Sequence, residues 1–477
     1  MREHFERSPP AWDVVEASLS SLLFIASSLP ADENLFLPQL IHFILALPDI
    51  LALKITAMEL IGRLARWISY NPVCLQAVLQ WLINALSSPA LSTCASESIM
   101  LLFKACAGMN SDLPVLELHE LMVKLRDSSA LPLSADISLL EGLCTVASAY
   151  DRDRCGATLA TLIAPITQSL ALQLTAPSTA QIGPIMANID RLTAIMRSVR
   201  YKGNKDASED PSTHPVMKAF VLIQPLCQQV MERIATEYAC EKICRLYKYN
   251  IRGAGKAFNN FLPPMCAHLV TAFLQRPYSP LLYAISICVA EFGSEHNNTI
   301  GNNASDEVLY SALWSISESF FRNHSSVADF ENSPDVVEEY FHLLARYLEH
   351  CPRKLVESPQ LTHLVGAGLM GLQMQHKDAT KGILHFFERL IGVGAAYPAM
   401  CSAVDGIVAQ LFGKELTRIL LKSIFGEMPT YSLFESAGSL TDVFWRLKAR
   451  QGQNLQVFKP ASFAPLKIAF YCCIFSQ

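Results

Sequence analysis

The sequence predicts an all-α fold, a curved solenoid of antiparallel helix pairs. Three observations carry this. Apolar residues recur at steps of three and four along most of the chain. Alternation of apolar and polar residues is nowhere sustained, so no sheet is expected. Proline interrupts the apolar runs at short intervals. With 477 residues, 51% apolar and 17% charged, the chain can bury a large core and is not globally disordered.

The elements follow in order. Ile55, Met58, Ile61, Ala65 and Ile68 make one apolar stripe, and Leu91, Ala95, Ile99, Leu102 and Cys106 make another. Pro30, Pro48, Pro72, Pro89, Pro114 and Pro132 fall between such stripes, where proline ends one helix or opens the next. The pattern gives helices over 12–29, 35–46, 51–69, 73–87, 91–107, 114–126, 133–149, 154–173, 178–200 and 216–237. It continues with 239–252, 256–275, 280–293, 304–322, 333–349, 355–371, 377–393, 397–423 and 431–447. Taken in pairs they repeat about every 40 residues, the period of HEAT and armadillo arrays. Such helices cannot bury their faces alone, so each pair packs on its neighbours. The organisation expected is an incomplete repeat over 1–34, HEAT-like pairs over 35–200, a polar loop over 201–215, and pairs over 216–293. A second loop over 294–303 precedes pairs over 304–447, and 448–477 form an incomplete end.

Composition and motifs exclude several classes of function. The net charge of −5 gives the whole molecule no attraction for nucleic acid, so no direct nucleic-acid partner is expected. The 14 cysteines lie mostly inside apolar runs, as at Cys74, Cys94, Cys106 and Cys288, and read as buried free thiols. Neither they nor the 12 histidines cluster as zinc ligands, and no metal or cofactor is expected. The apolar stretch 35–53 is interrupted by Pro38, His42, Pro48 and Asp49, so membrane insertion is not expected. Catalytic motifs are absent and the chain does not read as an enzyme. Gly253-Ala254-Gly255-Lys256 lacks the spacing, the following Ser or Thr and the preceding strand of a phosphate loop.

One constellation stands apart. On a helix, Lys242, Arg245, Lys248, Arg252 and Lys256 fall within one arc of roughly 120°, while Ile243, Cys244, Tyr247, Ile251 and Ala254 fall on another. Tyr249 lies among the cations, where it can stack on a bound chain. The plain alternative is a solvated basic face. Against it, acids other than Glu241 are missing from the stripe, and an uncompensated rank of cations repels itself unless an anionic partner neutralises it. Arg191, Arg197 and Arg200 on the preceding long helix, with Lys202 and Lys205 after it, widen the patch if the helices are stacked neighbours.

Longer stretches carry a resemblance. Residues 12–26 (WDVVEASLSSLLFIA) and 56–82 (TAMELIGRLARWISYNPVCLQAVLQWL) are similar to the transportin-SR (transportin-3) branch of the importin-β, or karyopherin-β, superfamily. So are 190–200 (DRLTAIMRSVR), the THP from Thr213, 278–293 (YSPLLYAISICVAEFG) and 376–394 (HKDATKGILHFFERLIGVG), in the same order. The resemblance runs over about 11–447 and implies the cargo-reading, C-terminal half of a nuclear import receptor. It implies that helices 51–69, 91–107, 133–149, 178–200 and 239–252 line the concave side, and that 239–252 is the helix that reads cargo. The implied cargo is a splicing factor with a phosphorylated arginine–serine-rich domain. The implied partners are Ran, only in a full-length form, and nucleoporins, with shuttling between cytoplasm and nucleus. The implied cargo-binding residues are Lys242, Arg245, Lys248, Tyr249, Arg252 and Lys256, with Arg197 and Arg200 beside them. Lysine where the family has arginine supplies charge without the bidentate fork. Helix 12–29 reads as the second member of a pair without its first, which implies exposed apolar surface there and little of the Ran site. An importin-thirteen-like receptor for other cargoes, and a HEAT scaffold outside transport, stay open as alternatives.

Overall fold

The computed structural model describes residues 12–30, 32–109, 113–175, 181–201, 211–293 and 304–407, and among these every regular element is helical. The chain divides into two compact units, Met1–Asn260 and Phe261–Gln477, with the boundary inside the block 216–293 that the sequence pattern treats as continuous.

The first unit is a two-layer stack. One layer holds α1 (Trp12–Leu23), α3 (Leu51–Arg63), α4 (Ala65–Ser69), α6 (Ser92–Cys106), α8 (Leu133–Ala147), α10 (Ile182–Ser198) and α12 (Glu237–Ala254), each packing on the next. Across them lie α2 (Leu37–Leu45), α5 (Pro72–Ala85), α7 (Val115–Asp127), α9 (Arg152–Thr175) and α11 (Pro215–Ile234). The helices expected to face the cargo therefore do share one layer. Both stripes read from the sequence are buried, except that Ile55 is half-buried.

The motif positions tie neighbouring pairs together. Thr56 Oγ1 on α3 donates to Glu16 Oε1 on α1 at 2.7 Å. Asn71 donates to the Trp67 carbonyl at 2.9 Å just before Pro72 opens α5. Arg152 reaches Thr213 Oγ1 at 3.3 Å across 61 residues of sequence. Gly142 on α8 lies so close to α6 that a Cβ there would stand 3.0 Å from the Met100 Cα, so a larger residue would require the α6 backbone to give by a few tenths of an ångström.

Several boundaries differ from the expected ones for local reasons. The helix expected over 51–69 is kinked at Leu64, where ψ is 2°. The ladder still runs through, with the Leu64 N–H on the Leu60 carbonyl and the Ile68 N–H on that of Leu64. The helix expected over 355–371 is two, α18 (Pro352–Glu357) and α19 (Leu361–Gly371), because Pro359 holds Ser358 extended at ψ 135°. An unexpected helix, α16 (Val327–Asn332), opens with a capping box between Ser326 and Asp329.

The second unit repeats the plan. Here α14 (Ser279–Phe292), α17 (Pro334–His350) and α20 (Lys377–Ala396) form one layer, and α13 (Leu262–Gln275) packs on α14 and on α15 (Ala304–Asn323). Phe320 is its aromatic hub, stacked on Tyr340 at 3.9 Å and on His324 at 4.2 Å, with Phe330 and Phe341 edge-on. The last described helix is α21 (Pro398–Asp405). The rest of the helix expected over 397–423, the helix expected over 431–447 and the ends at 1–11 and 448–477 lie outside the described residues. So do 202–210 and 294–303 of the two expected loops.

Of the described cysteines, Cys74 and Cys94 are half-buried and the others shown are buried free thiols, as expected. Burial, helped by Glu59 and Glu97, pushes the Cys94 thiol up to about 12. The 35–53 stretch is divided between α2 and α3. A different helix, α9, has the length and apolar composition to cross a membrane, and its buried face packs on α8, α10 and α11. On and after α1, Val15 and Leu19 are buried while Trp12, Val14, Phe24 and Ile25 are exposed.

Candidate functional site

Helix α12 is set precisely at its start by two backbone devices. Ala235 ends α11 in the left-handed region at φ 49°, and Thr236 then caps α12 by accepting the Ala239 N–H on its hydroxyl. One face of α12 is driven inward. Ile243, Cys244, Tyr247, Ile251 and Ala254 are buried as the pattern requires, with Cys240, Leu246 and Asn250 beside them. The Tyr247 ring packs edge-on against Phe220 of α11 at 5.9 Å.

The opposite face carries cations. Arg245 and Arg252 are exposed, and Lys242, Lys248 and Tyr249 are half-buried. Lys248 Nζ lies 5.7 Å from the Tyr249 ring centroid. Lys256 is not part of this rank. α12 ends at Ala254, Gly255 takes φ 51° and ψ −130°, and Lys256 falls in the short 3-10 stretch Gly255–Phe261. The expected arc of five cations is therefore four on the helix and one beyond it.

The rank is also less bare than its own helix suggests. Lys242 donates to both oxygens of Asp190 on α10, at 2.6 and 2.8 Å. Burial draws the Lys242 ammonium down, but the bonds and charge of Asp190, with Tyr238, together hold it above its ordinary value. Arg245 donates to Glu241 one turn back at 2.7 Å. The expectation of an unneutralised stripe is thus corrected, because an acid from the next helix reaches it. Helices α10 and α12 are stacked neighbours, yet the arginines of α10 do not simply widen the patch. Arg191 turns inward to Asp136 at 2.6 Å, and Arg197 pairs with Glu141 of α8. Arg200 is exposed, its backbone N–H on Ser148 Oγ and its guanidinium toward the Val199 carbonyl. Lys202 and Lys205 lie outside the described residues.

Sequence reasoning missed Asp136, Glu141 and Asp190. They form a ladder: α8 supplies acids to α10, and α10 supplies Asp190 to α12. Among the described residues no group of three or more His, Cys, Asp or Glu is placed to hold a metal ion. The arrangement is a helix face that presents positive charge and N–H donors to solvent.

Fold and site thus describe a helical-repeat array with a cationic face on one helix. Comparison with known proteins gives the particular group. Residues 34–117 match the family model of the Transportin-3/Importin-13 third TPR domain, and 211–304 that of the fourth. Transportin MOS14 of Arabidopsis thaliana is 21% identical over 436 residues, covering 88% of this chain and 43% of the relative. Importin-13 of Mus musculus is 22% identical over 444 residues, with the same coverage of 88% and 43%. The solved structure of importin-13 in its cytosolic state superposes with a TM-score of 0.77 at 17% identity, over 93% of this chain and 50% of that one. The chain spans less than half the length of these curated relatives. Its helical-repeat fold is similar to that of the importin-13 structure, and its two matched segments are similar to the Transportin-3/Importin-13 family models. The relatives are named as a transportin and an importin.

Proposed function

We propose that this chain is the cargo-holding part of a nuclear import receptor of the karyopherin-β type, and that the layer containing α12 faces the cargo. The cargo class is a phosphorylated arginine–serine-rich segment of the kind splicing factors carry. The observation that carries the reading is α12 itself. Its apolar face is fully used in packing while Lys242, Arg245, Lys248 and Arg252 line the other side, in a chain that is acidic overall. A phosphoserine brings nearly two negative charges and three acceptor oxygens, and an extended dipeptide repeat presents them regularly to a rank of cations. Each phosphate contact to a partly desolvated cation contributes about 1.5–3 kcal/mol. Tyr249 offers a ring beside the bound chain. Arg197, Arg200 and Lys256 are peripheral in this reading. A full-length receptor would also engage Ran and nucleoporins and shuttle between cytoplasm and nucleus.

An importin-13-like receptor for other cargoes is the second reading. It is supported by the family models, which name both proteins, and by the similarity to importin-13 in sequence and fold. Calorimetry with phosphorylated and unphosphorylated arginine–serine peptides separates the two. The phosphopeptide should bind, weaken with added salt, and lose binding in the double substitution Arg245→Glu with Arg252→Glu. Equal affinity for both peptides, or an unaffected double variant, would favour the second reading.

A further inference from the structure

Two acids stand on the cation rank in different settings from the acid behind it. Asp136 is fully buried between Arg126 and Arg191, whose side chains are 14% and 12% exposed, and it holds three helices in register. Asp190 keeps 30% of its side chain exposed and Glu241 52%. Their partners are two of the cations assigned to cargo, and both pairs open to solvent. Lys242 is further covered by the Tyr238 ring, 5.1 Å from its Nζ. The rank therefore presents Lys242 and Arg245 already closed by carboxylates.

We propose that Asp190 and Glu241 are specificity-determining residues of this surface. They are resident carboxylates that occupy Lys242 and Arg245 until a phosphate displaces them, and they turn away ligands that offer carboxylates alone. The proposal rests on the reading of α12 as a phosphate-binding face. Its physical basis is exchange. A carboxylate tethered beside its cation acts at an effective concentration on the order of millimolar or above. An incoming Asp or Glu side chain brings the same group and the same single charge, and it must also be ordered on binding. Exchange of like for like therefore gives nothing. A phosphoserine brings almost twice the charge and an extra acceptor oxygen, so it replaces the resident acid with a gain. Once displaced, Asp190 and Glu241 still repel any anion too weakly held to offset them. The paired acids thus convert a general anion-binding helix into one that answers to phosphorylation.

The test uses the full chain and an eight-residue arginine–serine repeat in three forms: phosphoserine, glutamate in place of serine, and unmodified. Wild type should prefer the phosphopeptide to the glutamate peptide by about tenfold or more, the scale of one charge-assisted hydrogen bond. Asp190→Asn with Glu241→Gln should shrink that ratio to about threefold, mainly by strengthening the glutamate peptide. Asp190→Glu with Glu241→Asp keeps both charges and should restore the wild-type ratio, which a merely structural role would not do. Circular dichroism of each variant confirms that the helices persist. A wild-type ratio that survives in the Asn/Gln variant overturns the exchange mechanism while leaving phosphate binding by α12 intact. Failure of wild type and variant to bind any of the three peptides overturns both.

Discussion

At Gly255 the backbone takes φ 51° and ψ −130°, a region that residues with a Cβ rarely enter. A Cβ there would meet nothing within 4 Å, so the glycine is required by conformation and not by space. That single torsion removes Lys256 from the cation rank. A second residue, Glu339 on α17, shows how burial sets protonation. Burial first, and then the neighbouring charge of Glu338, push its carboxyl up from an ordinary 4.5 to about 7, with Arg346 opposing. Because the folded chain holds this proton more tightly than the unfolded one, the contribution to stability is complete below about pH 4.5 and is lost as pH rises through about 7. Glu339→Gln should therefore leave stability near pH 4 unchanged. At pH 8 it should add about 1–2 kcal/mol, a figure reduced from the full shift because the side chain is partly open to water. Urea unfolding at the two pH values reads this, and an equal effect at both would show that the carboxyl is not held protonated.

Between elements, the ion pairs follow the stacking order of the layer. Arg126 of α7 and Arg191 of α10 both close on Asp136 of α8, the first through two bonds of 2.8 Å. Arg191 also donates to Asn188 at 2.9 Å, whose amide reaches Ser169 and Gln173 of α9. One carboxylate joins three helices, and Asn188 extends the network to a fourth. Removing one partner of a buried pair leaves charge without compensation, which costs about 3–5 kcal/mol. Asp136→Asn should cost that much in chemical unfolding, and hydrogen exchange should rise first in α7, α8 and α10. A loss below about 1 kcal/mol, the value of an exposed pair, would show that water screens the two guanidinium groups. None of these links is visible in one helix at a time. Arg126 and Asp136 are ten positions apart and Arg191 a further 55, and only the packing register brings them together.

Across the molecule, each unit has a core of its own, and in a repeat stack stability is mostly a sum of neighbouring interfaces. Damage in one unit should then stay local. Phe320→Ala removes the ring on which Tyr340 and His324 stack, a change that costs about 3–5 kcal/mol in a packed core. Hydrogen exchange should show α15, α17 and α20 opening while α8, α10 and α12 keep their protection. Peptide binding by α12 should persist. Loss of protection in α8–α12 as well would mean that the chain unfolds as one cooperative body.

The apolar period determined the helices, the absence of strands among the described residues and the buried faces, because a core residue must recur every turn wherever the helix lies. It located most boundaries within a few residues, and it missed α16 and the break at Ser358 although Ser326, Asp329 and Pro359 carried the local signal. It also determined which face of α12 is cationic. Only the tertiary structure decided how bare that face is. Charge is felt across space, not along sequence, and Asp190 lies 52 residues from Lys242 while its oxygens stand within 2.8 Å of it. The same reason turns Arg191 inward and pairs the exposed Arg197: their acids arrive from α8, one helix spacing away, at a register that no helical wheel contains.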